Sequence, residues 1–596
     1  MINYLQQAFS AFNNKQYLQV IEILNSNKTN SADWYMLYTL TLAALNNYNE
    51  AELCYNKALT LHPLNHALID NYTNLLCKLG KYLECMNWCE NSTEALKTQK
   101  AYFNYIESLI QTEHLIQAKH HLNKISYNDE LLTRFHWLQI ALYEALGDLE
   151  KIELQFQQLP EAIFEQFHFK YKRACNFRNL GQFQEALALF LSLDKIHSSA
   201  ELNYVIGCTY YDLKKLDYAE IYLKQCLAQA PNYIPAHESL NKLYWEKSAK
   251  SSLMSSYQTT LKKFPANPVL IHSQIGQLLQ INDLESAMKI SIQAVNLFKD
   301  NLDLKHAYSI VLDKFGEHEQ AFNILYTLVQ QAPENARYAV DLSNFYIQNH
   351  EYKLAVKHLE EAIKFNPYNQ ELWAYLSTAW RLLNDEKYFW LTNYQQFVRV
   401  MELPPPKGYK SIENFNDDLK SLLLNLHTND KQPLDQSVRS GSQTTGHLLY
   451  RSNELLNLFK KSMTSCINNY LMALPKDPTH PLLVRNQHRF TTKGSWSVKL
   501  DHGGYHANHI HPHGWLSAPS YISIPDEMNN SDITKSGWLK LGETSLELGQ
   551  REAIAMEVCP EPGQIIIFPS YIWHGTHKLI SNQPRLTIPC DIMPLR

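Results

Sequence analysis

No long run of like charge occurs in the chain, and its 54 basic and 59 acidic side chains leave a net charge of only -5. That balance gives no electrostatic reason to expect a nucleic-acid partner. No stretch approaches the ~18 consecutive apolar residues that a membrane-spanning helix requires. The first residues, "MINYLQQAFSAFNNKQYLQVIEIL", lack the basic, apolar and small-residue order of a signal peptide, so a cytoplasmic location is expected. Ten cysteines are scattered with neither a CxxC pair nor a compact even-numbered set, which argues against a disulfide framework. Cys85 and Cys89 lie four apart and can share a helix face, where small buried thiols act as hydrophobes.

Hydrophobic residues make up 45% and charged residues 19%, the balance of a soluble globular chain. At 596 residues, against ~100–200 for a typical domain, at least two structural units are expected. One of them is repetitive. In "AVKHLEEAIKFNP", Ala355 is followed by Leu359, Ala362 and Pro367 at offsets of four, seven and twelve. The frame returns as Ala321, Leu325, Leu328, Pro333, as Ala219, Leu223, Cys226, Pro231, and as Ala51, Tyr55, Ala58, Pro63. Weaker copies start at Leu18, Cys85, Ala118, Ile152, Ala186, Leu253 and Ala287, and successive starts lie 33 or 34 residues apart.

Offsets of four and seven fall on one helical face, the small residue lets two helices approach, and the proline stops the second helix. The period is that of the tetratricopeptide repeat, which the chain resembles from about residue 2 to about 395, in about eleven helical hairpins. Each hairpin leaves an apolar face that only its neighbours can cover, so an all-α superhelix with a concave surface is expected. The resemblance implies that this surface holds a protein or peptide. Nothing in the array looks catalytic.

The texture changes at "RVMELPPPKGYKS", where Pro404, Pro405 and Pro406 cannot continue a helix. The expected division is an array over 1–400, a proline-rich linker over 401–412 and a different domain over 413–596. Two helices, "FNDDLKSLLLNLH" and "SNELLNLFKKSMTSCINNYLMAL", flank the polar stretch "PLDQSVRSGSQTTG". From Gly494 onward come short runs of β-formers bounded by turn residues: "SWSVKL", "SYISIP", "GWLKLG", "EAIAMEV", "QIIIFPSYIW" and "RLTIPCDIMP". Six such strands predict a sandwich or barrel.

In "NHIHPHGW", His509 and His511 are separated by one residue, so in extended backbone both imidazoles leave the same face and can bind one metal ion. A distant third ligand is available in His574, at the end of the expected strand "IIIFPSYIW". Arg585 and Thr587 share one face of the strand that follows.

This order of HxH, late histidine, arginine and hydroxyl resembles the double-stranded β-helix (jelly roll) of the 2-oxoglutarate and Fe(II) dependent dioxygenases, over about residues 409–596. "GSWSVKL", "HIHPHGWLSAPSYISIP", "GWLKLGE" and "PEPGQIIIFPSYIWHGT" are similar to a bacterial family of such oxygenases that often carries tetratricopeptide repeats. The resemblance implies that His509, His511 and His574 bind Fe(II), and that Arg585 and Thr587 hold the distal carboxylate of 2-oxoglutarate. It further implies hydroxylation by dioxygen, coupled to conversion of 2-oxoglutarate to succinate. A guanidinium suits a carboxylate because it offers two parallel donors.

The usual facial triad of that superfamily has Asp or Glu where His511 stands. Three candidates remain: His511 as third ligand, Asp501 as the displaced carboxylate, or a site of two histidines. Gln436, Arg439, Gln443, Thr444, His506, His513 and Trp573 are candidates for the mouth of the site, with loop or core roles as alternatives; His502 is similar. The leading expectation is a hydroxylase acting on a protein or peptide that the repeats recruit. A repeat scaffold with a catalytically silent barrel is the alternative, and a cupin-like enzyme ranks last because Arg585 and Thr587 would have no role in it.

Overall fold

The computed structural model describes residues 4–126, 128–427 and 437–595. The chain separates into two compact units, Met1–Phe164 with Leu595–Arg596, and Glu165–Pro594. Both contain antiparallel helical hairpins of tetratricopeptide type, for example Ala32–Ala44 with Tyr48–Leu61 and Ala200–Asp212 with Leu216–Gln229. Among the described residues, no helix is long and apolar enough to cross a membrane.

The repeat frame marks the buried face. Ala51, Cys85, Ala118, Ala186, Ala219, Ala287, Ala321 and Ala355 are all fully buried. Helices end at Leu61, Gln229, Gln331 and Phe365, each two residues before its proline, because a residue preceding proline is disfavoured in the α-region. The first copy is misplaced by two residues: Leu18 is 77% exposed, and Val20 and Leu24 fill the interior instead.

A second periodic signal fixes where the first helix of many hairpins begins. Ser31, Asn65, Thr98, Ser199, Asn267, Asn301, Asn335 and Asn369 each precede such a helix and accept a backbone N–H from its first turn. Each such cap is worth about 1 kcal/mol. Cys85 and Cys89 are buried in the core of the first unit, with Cys77 Sγ 3.8 Å from Cys85 Sγ. The hydrogen bond with Cys77 pulls the Cys85 thiol down, but the hydrogen bond with Cys89 and burial together raise it to about 12, so it stays protonated in the manner of a small hydrophobe.

In the second unit the repeats are followed by an antiparallel β domain of twelve short strands among the described residues. They are β1 (Arg399–Glu402), β2 (Val438–Gln443), β3 (Phe490–Ser495), β4 (Val498–His506), β5 (Leu516–Ser517) and β6 (Ser520–Ser523). Then come β7 (Leu539–Leu541), β8 (Met556–Val558), β9 (Gln564–Pro569), β10 (His574–Thr576), β11 (Arg585–Ile588) and β12 (Cys590–Pro594). The main sheet runs β2-β4-β11-β6-β9-β5-β12-β3, with β1 also paired to β9, and β10-β7-β8 form a smaller sheet. The larger sheet curls into a half-barrel consistent with a jelly roll.

Three local readings change. The expected linker begins inside the sheet, since Arg399–Glu402 pairs residue for residue with Ile567–Gln564; the prolines follow this strand rather than a helix. The run "QIIIFPSYIW" is not one strand. It stops at Pro569, turns at Ser570 and Tyr571, and His574 opens β10 instead of closing β9. "SWSVKL" is likewise broken at Trp496, and the strand after it continues to His506 through Gly503 and Gly504. A side chain at Gly504 would collide with the Ser440 carbonyl and lie 2.7 Å from that of Asp501, so glycine is what lets β4 bend there against β2.

The two expected helices are present as Ile412–Leu426 and Glu454–Ala473. Phe415, Leu419, Phe459, Met463 and Ile467 from them join Ile565, Ile566, Ile567 and Phe568 of β9 in one core. The last repeats belong to the same core. Arg551 donates to the Ile347 and Gln348 carbonyls at the end of a repeat helix, at 2.8 and 3.2 Å, and Tyr571 Oη donates to the Leu391 carbonyl at 2.8 Å. A cation over the last carbonyls of a helix meets the negative end of its dipole.

Candidate metal centre

Alternation along a strand would set His509 and His511 side by side, but the backbone here is less regular. After β4 ends at His506 the chain makes one isolated bridge, His509 to His574, and then turns at Pro512 and His513. His511 is held separately, its amide donating to the Ser570 carbonyl at 3.1 Å. The turn after β9 thus anchors His511 while the strand after the turn anchors His509. Gly575 permits the approach. A Cβ there would collide with Asn508 Oδ1 and sit 2.9 Å from the His506 carbonyl.

The outcome is a cluster in which one nitrogen each of His509, His511 and His574 all lie within 4.8 Å of one another. In each ring Nδ1 is engaged outside the cluster. His509 Nδ1 meets the Ala507 carbonyl at 2.8 Å, His574 Nδ1 the Ile572 carbonyl at 2.9 Å, and His511 Nδ1 lies 2.6 Å from Asp591 Oδ1. A carbonyl oxygen faces a protonated ring nitrogen, so His509 and His574 keep the lone pair on Nε2 for a common ligand, whereas the close approach of His511 to Asp591 leaves Oδ1 without a hydrogen bond. Burial pushes His509 down to about 3 and His574 far below the ordinary imidazole value, with the neighbouring histidines acting in the same direction. Neutral imidazole is the form that binds a metal ion.

Arg585 lies 2% exposed in the same cavity, on β11. Its guanidinium stands over the Tyr521 ring at 4.9 Å, yet Nε and Nη1 are buried without a hydrogen-bond partner. Buried donors of this kind are costly unless an anion satisfies them. Thr587 is two residues on, on the same face, and also lines the cavity, whose volume is about 730 Å³. Three imidazoles with open space beside them and an unsatisfied guanidinium therefore fit a metal ion and a dicarboxylate together.

The remaining candidates divide. Arg439 and Gln443 line the cavity from β2, and His513 is exposed at its rim. His506 is deeper than a mouth residue would be: its ring lies 6.1 Å from that of His509 and its Nδ1 3.2 Å from Ser437 Oγ. His502 is exposed on β4 and is not among the lining residues. Gln436 lies outside the described residues. Two take the structural role that was the alternative to the mouth. Thr444 is buried away from the cavity, where its Oγ1 accepts the Ser497 amide at 2.9 Å and ties β2 to the β3–β4 turn. Trp573 faces the repeats, its Nε1 donating to Thr378 Oγ1 and the Ala374 carbonyl at 3.2 and 3.3 Å. Asp501 is not in the cluster either: it is half exposed and pairs with Lys499 at 3.3 Å.

Residues 494–591 match the profile of a family described as "Putative 2OG-Fe(II) oxygenase". The β domain carries an oxygenase-family signature. Every candidate ligand named above, with Arg585 and Thr587, falls inside that match. Residues 35–63 and 200–233 match the tetratricopeptide repeat. No curated protein matches the chain. Among solved structures, yeast Tom70 aligns at 14% identity and TM-score 0.30 over 64% of this chain and 96% of its own. A tetratricopeptide repeat protein from Parabacteroides merdae ATCC 43184 aligns at 18% and 0.34 over 40% and 96%, respectively. The APC/C hetero-tetramer Cut9-Hcn1 aligns at 11% and 0.25 over 60% and 91%.

Among the cavity residues that sequence reasoning missed are Ser437, Trp496, Tyr521 and Asp591. Asp591 was within reach of the alternation already used for Arg585 and Thr587, because every second residue from 585 onward shares that face. Trp496 carries no such signal. It stacks on His511 with ring centroids 6.1 Å apart and an interplanar angle of 9° only because the chain turns between β3 and β4.

Proposed function

We propose that this protein is an Fe(II) and 2-oxoglutarate dependent hydroxylase acting on a protein or peptide recruited by its repeats. The observation that carries the reading is the pairing, in one cavity, of a three-imidazole cluster with a buried guanidinium lacking partners on Nε and Nη1. His509, His511 and His574 would hold the metal; Arg585 would take the distal carboxylate of 2-oxoglutarate, with Thr587 completing its hydrogen bonds. Bound Fe(II) supplies the electron chemistry that lets dioxygen oxidise 2-oxoglutarate and substrate together. The protein's own part is to keep His509 and His574 neutral by burial, to fix their tautomers through backbone carbonyls, and to line the site with Tyr521 and Trp496. The cytoplasm is the compartment we propose for it.

A protein or peptide substrate is favoured by the join itself: the repeats share a core with the β domain, and helix Gln370–Leu383 touches the residue next to His574. The test is anaerobic addition of Fe(II) and 2-oxoglutarate to the full chain, followed by the weak visible band of the chelated keto acid. A band that disappears in His574→Ala and Arg585→Ala supports the reading. A folded, iron-loaded protein with no band sinks it.

One observation favours a second reading. Among the described residues no carboxylate joins the histidine cluster, which suits a repeat scaffold with a silent metal-binding barrel. Partner binding that survives loss of both His509 and His574, without any succinate formed by the parent protein, would select it.

A further inference from the structure

The three rings of the cluster are not held alike. Nδ1 of His509 and of His574 faces a neutral backbone carbonyl, whereas Nδ1 of His511 faces a carboxylate. Asp591 sits on β12, opposite Gly494 of β3 and Ser517 of β5, with its side chain 22% exposed. The approach to His511 is short but oblique: Oδ1 is buried and has no full hydrogen bond of its own. Trp496 lies parallel to the same imidazole, so His511 is bounded by a carboxylate at its edge and an indole on its face.

Three neutral imidazoles leave a bound dication with its whole charge, in a site where burial makes that charge expensive. A metal-bound imidazole becomes a stronger N–H donor, and a carboxylate placed at that N–H both fixes the tautomer and returns negative charge to the centre. We propose that Asp591 is the positioning residue of this centre, holding His511 with Nε2 presented to the metal and supplying, one ring away, the negative charge that no direct ligand provides. The inference rests on the histidine cluster being a metal site. It places the carboxylate of the centre at Asp591 and not at Asp501, and it gives His511 a different task from its two partners. With its Nδ1 unsupported, His511 would be the ligand easiest to lose.

The test uses the full-length protein, stripped of metal with a chelator and titrated with Co(II), whose visible absorption reports ligand number and geometry. Variants are Asp591→Asn, which keeps size and an acceptor oxygen but not the charge, Asp591→Ala, and His574→Ala as a reference. Loss of a partner of this kind weakens metal binding ~10–100-fold. Asp591→Asn is expected to fall in that range with an altered Co(II) spectrum, and Asp591→Ala to bind at least as weakly as Asp591→Asn, while the metal-free melting temperature of Asp591→Asn matches the parent. Should Asp591→Asn bind Co(II) as tightly as the parent, with the parental spectrum, while His574→Ala does not bind, the role of Asp591 is overturned and the metal site stands. Failure of the parent itself to bind Co(II) overturns both.

Discussion

The backbones of His509 and His574 hold each other directly: the amide of His509 donates to the His574 carbonyl at 2.9 Å, and the amide of His574 returns the bond at 3.0 Å. Two candidate ligands 65 positions apart are thus locked in register by an isolated two-residue bridge. Whatever separates the two segments separates the ligands.

Gly575 is where that register is most easily lost. An added methyl would strike Asn508 Oδ1 and the His506 carbonyl, and the second is backbone that cannot swing aside. Overpacking of this kind costs about 1–3 kcal/mol. Gly575→Ala is expected to lower the melting temperature modestly and to weaken Co(II) binding by at least tenfold. Parental affinity in a stable variant would show that the two segments tolerate separation.

Arg585 gives a prediction of opposite sign for stability and binding. A buried charge with unpaired donors contributes little to folding, and an apolar side chain of similar volume is often neutral or stabilising. Arg585→Met should therefore melt no lower than the parent in buffer. It should, however, lose the stabilisation that 2-oxoglutarate confers on the metal-loaded parent, about 2.7 kcal/mol at a ligand concentration of 100 Kd. An unchanged thermal shift with 2-oxoglutarate would remove Arg585 from the cosubstrate site.

Trp573 couples the repeats to the centre, one residue before His574 and in contact with Tyr375, Ala374 and Thr378. Removing a buried indole typically costs about 3–5 kcal/mol. Trp573→Ala should show that loss in urea unfolding, whereas Trp573→Phe should recover much of it. A variant with Trp573→Ala as stable as the parent would mean that the last repeats do not brace the β domain.

Stability should fall in mild acid, in part through His427. Its ring lies between Ser442 and Ser497, at 2.8 and 3.0 Å, and burial, aided by Lys499, lowers its pKa from the ordinary 6.5 to about 4. In the unfolded chain the ring takes a proton near pH 6.5, whereas in the folded chain it stays neutral until about pH 4. The unfolded state therefore binds more protons in that window, and stability present above pH 6.5 is lost as pH falls toward about 4. The stability of His427→Gln, measured by urea unfolding across this range, should decline less steeply than that of the parent; an identical slope would exclude His427 from the acid sensitivity.

The repeats were readable because each depends on short-range periodicity. A small residue, two apolar residues and a proline at fixed offsets describe one helix and its end, and the neighbouring copy describes the next. Where the period slips, as at Leu18, local spacing alone cannot tell which of two nearby positions turns inward. The asparagine and serine caps recur with the same period, so the hairpin starts were encoded too.

Residue types around the centre were also legible: two histidines one residue apart, a late histidine, then arginine and a hydroxyl on one strand face. Their order determines which chemistry the chain can attempt. What joins them is long-range. Only the folded sheet brings His574 to His509, turns Trp573 away toward helix Gln370–Leu383, and sends Asp501 to the surface while Asp591 meets His511. Strand alternation says which side of a strand a residue occupies. Which other strand lies against that side depends on pairings between residues tens of positions apart, and these are settled by packing of the whole β domain against its helices and the last repeats.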